Sequence, residues 1–287
     1  MGKVMVTGAN GNVGGYVVKY LIKNGQDVVA AGTNIESLQS KFGDKVKSVF
    51  FDFTDSKTFS AALQDVDRVF IMRPPHLGKP EDLKPFVEAL TSKGGLKLIS
   101  FLSLIGIENN PLPPHHKIEK YIEQTGLPYC HIRPSFFMQN ISGVHSFEIK
   151  NFDRIVVPVG KALTSFIDAE DIGEITAKVL SEPDKHQNRG YSITGPEAID
   201  YYTASKILSE ELGREIIYAN PKPSLAKKYW IEIRGLDKDY SKVMGMLYLM
   251  TRMGAAKKIT TTFEDVVGRK PQTLRQFVKK NLNVWER

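Results

Sequence analysis

Three glycines at intervals of three follow an apolar run and precede a segment of helical periodicity, in the stretch VMVTGANGNVGGYVVKYL. A strand, a glycine turn and a helix in this order set the free N–H groups and the positive end of the helix dipole where they can hold a pyrophosphate. Glycine is needed because a Cβ would obstruct the turn, the approaching phosphate and the packing of helix on strand. The pattern predicts a dinucleotide-binding turn made by Gly8, Asn10, Gly11, Asn12, Val13 and Gly14.

The residues after the second predicted strand bear on which dinucleotide is bound. An acid at this point accepts the ribose hydroxyls of NAD, but Gly32, Thr33 and Asn34 include neither an acid nor a base. Since no carboxylate would repel a 2′-phosphate and Thr33 and Asn34 can hydrogen-bond it, NADP(H) is favoured over NAD(H). Both residues are equally suited to cap the next helix. Asp52, after the third strand, is either an adenine contact or a turn residue.

Polar residues also end the fourth and fifth predicted strands. Because ligands of open α/β sheets bind at the carboxyl ends of the strands, Arg73, Pro74 and Pro75 are expected to border the cofactor. Arg73 can meet a phosphate or an anionic substrate, or make a surface salt bridge. Ser103 ends the fifth strand at the same edge, and without a neighbouring base it is no hydrolase nucleophile.

An aromatic cluster follows the sixth predicted strand. Phe136, Phe137 and Met138 are expected over the nicotinamide, where they could form the wall of a pocket for a flat, apolar substrate. The alternative is that they pack a second lobe. Only one or two of these side chains need to face a pocket.

Strands and helices alternate along the first half of the chain. Apolar runs predict strands at 3–7, 27–31, 46–51, 67–72, 96–103 and 129–133, and helical periodicity predicts helices at about 12–24, 34–41, 55–64, 80–93 and 115–125. This alternation predicts an α/β fold, a Rossmann-type doubly wound parallel sheet. The alternation of strands and helices ends after Pro134. A short strand pair is expected around 154–166, and the chain is expected to be mostly helical from about 221. We expect an NAD(P)-binding domain over 1–195, with 136–162 contributing to a smaller, mostly helical substrate-side lobe over 196–287.

Composition excludes several classes of protein. The apolar fraction is 41%, no apolar run approaches the roughly 20 residues of a membrane span, and no leader pattern precedes the first strand, so a cytoplasmic protein is expected. The single cysteine, Cys130, lies in an apolar stretch and excludes an internal disulfide or a cysteine-based metal cluster. The charge of +7 arises in residues 201–287, which hold 17 basic and 9 acidic side chains without a nucleic-acid-binding motif. No metal, nucleic acid or membrane partner is therefore expected.

The sequence resembles the NmrA-like family of atypical short-chain dehydrogenases over nearly its whole length. The stretches that carry the resemblance are VTGANGNVGG (6–15), FDFTD (51–55), VDRVFIMRPP (66–75), GLPYCHIRPSFFMQN (126–140), FIDAEDIGEITAKVL (166–180) and GRKPQTLRQFVKKN (268–281). Within the family the chain looks most like bacterial NADPH-dependent quinone and triphenylmethane-dye reductases. Other members are redox-sensing regulators that bind the cofactor without turning it over.

The chain departs from ordinary short-chain dehydrogenases at the acid–base pair, Tyr-x-x-x-Lys, that the latter carry at the start of the fifth helix. Alignment on Glu119 puts His115 in the place of the lysine and Pro111 in the place of the tyrosine, and Tyr121 comes too late. Ser103 occupies the position of the ordinary family's catalytic serine. His115 either hydrogen-bonds the nicotinamide ribose or the substrate, or caps the helix.

Loss of the tyrosine decides between substrate classes. Acid–base catalysis typically contributes 10² to 10⁴ in rate, and a ketone needs it because its alkoxide must be protonated almost at once. A quinone instead gives a phenolate-like anion, whose conjugate acid has a pKa of about 10, and which water can protonate. We therefore expect a reductase that transfers a hydride from NAD(P)H to a planar conjugated acceptor, with His115 and Ser103 at the site and a monomeric or homodimeric state. The alternative is a non-catalytic NADP(H)-binding redox sensor.

Overall fold

The computed structural model describes residues 2–287. Its strands are β1 (Lys3–Thr7), β2 (Val28–Gly32), β3 (Lys47–Phe50), β4 (Val66–Ile71), β5 (Leu98–Leu102), β6 (Tyr129–Pro134), β7 (Phe136–Phe137), β8 (Arg154–Ile155), β9 (Phe166–Ile167), β10 (Arg189–Ile193) and β11 (Ile217–Tyr218). Its helices are α1 (Asn12–Lys23), α2 (Ile35–Phe42), α3 (Phe59–Ala62), α4 (Lys84–Lys93), α5 (Pro114–Gln124), α6 (Gln139–Ser142), α7 (Ser146–Phe152), α8 (Ala169–Ser181), α9 (Pro183–His186), α10 (Tyr201–Leu212), α11 (Pro223–Lys228), α12 (Lys238–Arg252), α13 (Thr262–Val267) and α14 (Leu274–Lys280).

A seven-stranded sheet organises the first part of the molecule. Its order is β3-β2-β1-β4-β5-β6-β10, and every neighbouring pair is parallel. The first six strands follow the order of the dinucleotide-binding fold, in which the chain reverses direction across the sheet between β1 and β4. The predicted Rossmann-type sheet is confirmed.

Two compact units divide the chain. The first comprises residues 2–134, 169–193 and 262–269, and the second comprises 135–168, 194–261 and 270–287. The sequence-based division differs mainly at 163–168, which lies in the second unit, and at 262–269, which lies in the first. Arg269 holds the latter segment, because its guanidinium donates to Asp171 at 2.6 Å and also bonds Glu174, both on α8.

Different side chains cover the two faces of the sheet in the first unit. Phe51, Phe53, Phe59 and Phe86 form an aromatic cluster with ring centroids 4.8–5.7 Å apart. On α8, which packs against α1, a Cβ at Gly173 would lie 2.3 Å from the Cβ of Tyr16. Glycine therefore permits the close approach of these two helices.

The second unit packs its helices around a separate core that includes Tyr201, Trp230, Phe277 and Trp285, each no more than 1% exposed. The expected strand pair around 154–166 is wrong: β8 pairs with β11 and β9 pairs with β7, each in parallel. Strands of two residues carry too little alternation to show their partners in the sequence.

Some predicted helices are shorter than expected. Only Phe59–Ala62 of the predicted 55–64 is α-helical, after a 3-10 turn at Ser56–Thr58, and 80–93 begins with a 3-10 turn at Pro80–Leu83. A π-helical turn, Tyr229–Ile233, interrupts the C-terminal helices. Within residues 2–287, no helix combines the length and the apolar character that a bilayer span requires.

Candidate functional site

The glycine turn joins β1 to α1, and its backbone conformation and close contacts would be disturbed by side chains at the glycine positions. Gly8 has a left-handed φ of +63°, and Gly11 donates its N–H to the Gly8 carbonyl at 2.9 Å. A Cβ at Gly14 would lie 2.2 Å from that carbonyl oxygen, and a Cβ at Gly11 would lie 3.2 Å from it. The glycine at position 14 therefore allows α1 to pack closely against the turn. Gly11 is the N-cap of α1, and no side chain there hydrogen-bonds the first N–H groups of the helix.

This turn fits the pyrophosphate of a dinucleotide. The first N–H groups of an α-helix have no acceptor within the helix, and α1 carries no acidic side chain in its first turn. Asn10 and Asn12 are exposed beside them, whereas Val13 is buried beneath. An anion would therefore meet backbone donors and a favourable helix dipole.

Lys41 is a functional candidate that sequence reasoning missed. Its Nζ lies 3.1 Å from the Asn10 carbonyl and 3.3 Å from the Ala9 carbonyl, and a Cβ at Gly15 would stand 2.5 Å from it. Burial lowers the pKa of its ammonium. The available signal was a lysine in the last turn of the helix that follows β2.

Lys41 belongs to an open groove of about 650 Å³ next to the glycine turn. Its lining is basic and amide-rich, and consists of Asn10, Gly11, Asn12, Gly15, Tyr16, Lys19, Ile22, Lys41, Phe42 and Lys45. Lys41 and Lys45 make the groove suited to a phosphate, whereas the third ammonium, that of Lys19, is paired with Glu170 at 2.6 Å.

The polar residues after β2 and β3 make local bonds. Asn34 caps α2 by accepting the N–H of Ser37 at 2.8 Å, and Thr33 is exposed beside it. Asp52 accepts both the N–H and the hydroxyl of Thr54, at 2.8 and 2.7 Å, and these bonds lower the pKa of its carboxyl. Capping and turn formation are thus observed for Asn34 and Asp52.

Unpartnered polar atoms lie beyond the carboxyl ends of β4 and β5. Arg73 donates Nη1 to the carbonyls of Pro74 and Leu77, which leaves its Nε buried and without a hydrogen-bond partner among residues 2–287. Ser103 is 2% exposed, and its Oγ likewise has no partner there. Pro74 is half-buried and Pro75 exposed. Buried polar groups of folded proteins are normally paired, so these atoms indicate a place for a polar ligand.

His115 joins this cluster from the first turn of α5. Its ring stacks on Phe101 of β5 at a centroid distance of 5.9 Å, and its Nδ1 is a third buried atom without a partner in the described chain. Burial, and then the charge of Arg73, lower the pKa of His115 to about 4. The imidazole is therefore neutral at pH 7, and it can hydrogen-bond a ligand but cannot act as a cationic acid.

The three predicted pocket residues of the second unit are not equivalent. Phe136 and Phe137 are half-buried, and the Phe136 ring lies 6.1 Å from that of Tyr248. Met138 is 1% exposed within the core of the unit. This burial assigns the Met138 side chain to packing.

A cluster of two carboxylates and a histidine lies further along α5, towards its C-terminal end. Ligand atoms of Glu119, Glu123 and His131 all lie within 4.8 Å of one another. Arg133, however, holds both oxygens of Glu119 at 2.7 and 3.0 Å, and Lys120 bonds Glu123 at 2.6 Å. The carboxylates are already neutralised by cations, which makes this an ion-pair network.

Comparison with known proteins agrees with this geometry. The family model described as the NmrA-like family matches residues 1–278. The chain belongs to the NmrA-like family. The resemblance inferred from the sequence is confirmed.

Three of the similar proteins align over nearly the whole chain, and two of these three are named as an oxidoreductase or an azoreductase. Prestalk A differentiation protein A of Dictyostelium discoideum is 32% identical over 98% of this chain and 92% of its own length, and oxidoreductase YesF of Bacillus subtilis is 28% identical over 98% and 96%. An NAD(P)H azoreductase of Xenophilus azovorans is 24% identical over 96% of each chain.

Solved structures share the fold at lower identity. The NADPH-dependent quinone oxidoreductase of Escherichia coli, complexed with NADPH, aligns with a TM-score of 0.88 at 20% identity over 98% of this chain and 100% of the other. The Citrobacter sp. triphenylmethane reductase complexed with NADP(H) aligns with the same TM-score and identity over 97% and 99%.

Proposed function

We propose that this protein is an NAD(P)H-dependent oxidoreductase that reduces a planar conjugated acceptor such as a quinone. Its relatives support the reaction class, since they include an azoreductase, and its fold is shared with a quinone reductase. The glycine turn, Arg73, Ser103 and His115 would hold the dinucleotide, whose reduced nicotinamide supplies a hydride when bound. Phe136 and Phe137 are our candidates for the wall of the acceptor pocket.

The burial of the His115 ring against Phe101, with Arg73 nearby, is the observation that carries the choice of acceptor, because this environment favours the neutral imidazole. With a pKa of about 4, about one imidazole in a thousand is protonated at pH 7. Tyr121 offers no substitute, because its hydroxyl donates to Glu81 at 3.3 Å and burial raises its pKa. The side chains at this edge can orient and hydrogen-bond an acceptor, but they do not supply a proton at neutral pH.

That limit favours an acceptor whose reduced form survives as an anion until water protonates it. A ketone would give an alkoxide far more basic than any group here, whereas a quinone gives an anion whose conjugate acid has a pKa of about 10. The Arg73 guanidinium adds a positive charge beside such an anion. Electrostatic stabilisation therefore takes the place of acid catalysis in this proposal.

Lys41 supports a preference for NADP(H). A 2′-phosphate bound in the groove beside the glycine turn would meet the Lys41 ammonium, with Lys19 and Lys45 nearby, and no acidic residue lines this groove. Thr33 and Asn34, which directly follow β2, would add hydrogen bonds. The buried part of Lys41 reduces the screening of its charge by water.

The reductase proposal is tested by oxidation of NADPH at 340 nm with a panel of quinones and azo dyes, under air and under nitrogen. NADH and a simple ketone serve as comparisons. We expect turnover with the conjugated acceptors and not with the ketone. Tight NADPH binding by calorimetry with no turnover of any acceptor would refute the proposal and support the sensor.

The cofactor preference is tested by Lys41→Ala. A charged hydrogen bond contributes about 1.5–3 kcal/mol, so the Kd of NADPH should rise about 10- to 100-fold while that of NADH changes little. Lys23→Ala, at the far end of α1 and outside the groove, is the control. An equal loss for both cofactors would contradict the assignment of the 2′-phosphate to Lys41.

A further inference from the structure

The helix α12 exposes a continuous apolar stripe. Val243, Met246, Met250 and Met253 are spaced three, four and three residues apart, and they are 49, 53, 38 and 78% exposed. The opposite face of α12 is the buried one, and it carries Ser241, Met244, Tyr248 and Thr251. The stripe is thus directed away from the core of its own unit, with the a/d spacing of a helix that packs against another helix.

Leu247 and Leu249 flank the stripe and are 39 and 53% exposed. Together with the four stripe residues, they expose the equivalent of about three whole side chains, or roughly 600 Å² at about 200 Å² each. That is the upper end of the apolar patch expected on a monomer, about 300–600 Å². Paired with an identical patch, it would bury at most roughly 1,200 Å², the lower end of a specific interface, because Leu247 and Leu249 lie on opposite sides of the stripe.

The charges beside the stripe favour an antiparallel partner of the same sequence. Asp237 and Asp239 are balanced at the N-terminal end by Lys238 and Lys242, whereas three cations without a nearby acid in the sequence, Arg252, Lys257 and Lys258, follow at the C-terminal end. In a parallel pair, the basic C-terminal ends of the two helices would lie side by side and repel each other. Antiparallel helices bring the acidic groups of one copy to the basic end of the other, and they set the positive N-terminal end of each helix dipole beside the negative C-terminal end of the other.

We propose that the α12 stripe is the homodimer interface of this protein, formed by two antiparallel copies of α12 about a two-fold axis. Centred on the stripe, this arrangement sets Val243 opposite Met253 of the second copy and Met246 opposite Met250. Asp239 then meets the segment that contains Lys257. The contact is self-complementary, as a two-fold interface requires.

Disruption of the stripe is the first test. Sedimentation analysis of the full-length protein should show a dimer that dissociates on dilution over about a hundredfold range of concentration. Met246→Glu would bury an unpaired charge and should raise the dimer dissociation constant at least about tenfold. Ile217→Glu, at a similarly exposed position (47%) on β11, should leave it unchanged.

Cysteine pairing tests the orientation. The native Cys130 is buried, and burial raises the pKa of its thiol to about 12, so it does not compete. Met246→Cys and Met250→Cys proteins, mixed and mildly oxidised, should form a disulfide-linked dimer that neither variant forms alone. Asp239→Lys and Lys257→Glu should each weaken the dimer, and their combination should restore it.

Four results would overturn the proposal, and the first three concern the oligomeric state. These are a monomer at every concentration, equal dissociation by Ile217→Glu, or a disulfide in Met246→Cys alone, which would indicate a parallel pair. A Met246→Glu protein of unchanged mass with a raised KM for the acceptor would assign the stripe to substrate binding instead.

Discussion

Acidification should destabilise the protein through His115, and the size of the effect follows from its burial. The pKa of a histidine in an unfolded chain is about 6.5, whereas burial and Arg73 lower that of His115 to about 4 in the folded protein. Between these values the unfolded chain binds a proton that the folded protein does not bind. The free energy of unfolding therefore falls as the pH falls from about 6.5 towards 4, by about 2.5 kcal/mol at pH 4.5.

Other histidines contribute in the same direction, so a matched variant is needed. Burial also lowers the pKa of His131 and of His145 to about 3. His115→Phe keeps a planar ring against Phe101 and removes only the titrating group. Urea unfolding without cofactor at pH 7 and pH 4.5 should show a loss for the native protein about 2.5 kcal/mol larger than for the variant.

Equal losses in the free energy of unfolding for the native protein and for His115→Phe would refute this reasoning, because they would mean that His115 has the same pKa in the folded and unfolded states. The activity provides an independent check. Since His115 is neutral throughout, kcat/KM for a quinone should be flat between about pH 6 and 8. A tenfold fall for each pH unit above about 6.5 would instead identify a cationic histidine acid.

Other substitutions test the turn and the ion-pair network. Gly11→Val should weaken NADPH binding at least about tenfold in calorimetry, because a side chain at the N-cap would obstruct an anion at the start of α1, and it should lower the Tm less than Gly14→Ala does, because its Cβ would stand 3.2 Å from the Gly8 carbonyl oxygen and 3.3 Å from Met72 Cε. Gly14→Ala should lower the Tm itself, since its Cβ would lie 2.2 Å from the same oxygen. Arg133→Ala should cost about 3–5 kcal/mol in urea unfolding by leaving the buried Glu119 without its bidentate partner, and a lysine there should not restore it fully.

The sheet and its glycine turn could be predicted because both are local patterns. Each strand of a doubly wound sheet is buried on both faces and therefore appears as a continuous apolar run, and the glycines of the turn are adjacent in sequence. The ends of β4, β5 and β6 likewise follow from strand order alone. This is why Arg73 and Ser103 could be expected at one edge before any contact was known.

What could not be predicted depends on contacts between distant parts of the chain. The Lys41 ammonium contacts the carbonyls of residues that precede it by 31 and 32 positions. Arg269 attaches the segment 262–269 to α8 through bonds to residues at least 95 positions earlier in the chain. The protonation state of His115 is of the same kind, because its low pKa arises from burial against β5 and from Arg73, 42 positions earlier. A sequence shows that an imidazole replaces the expected lysine. Only the packing makes that imidazole neutral, and neutrality is what favours an acceptor that needs no proton from the protein.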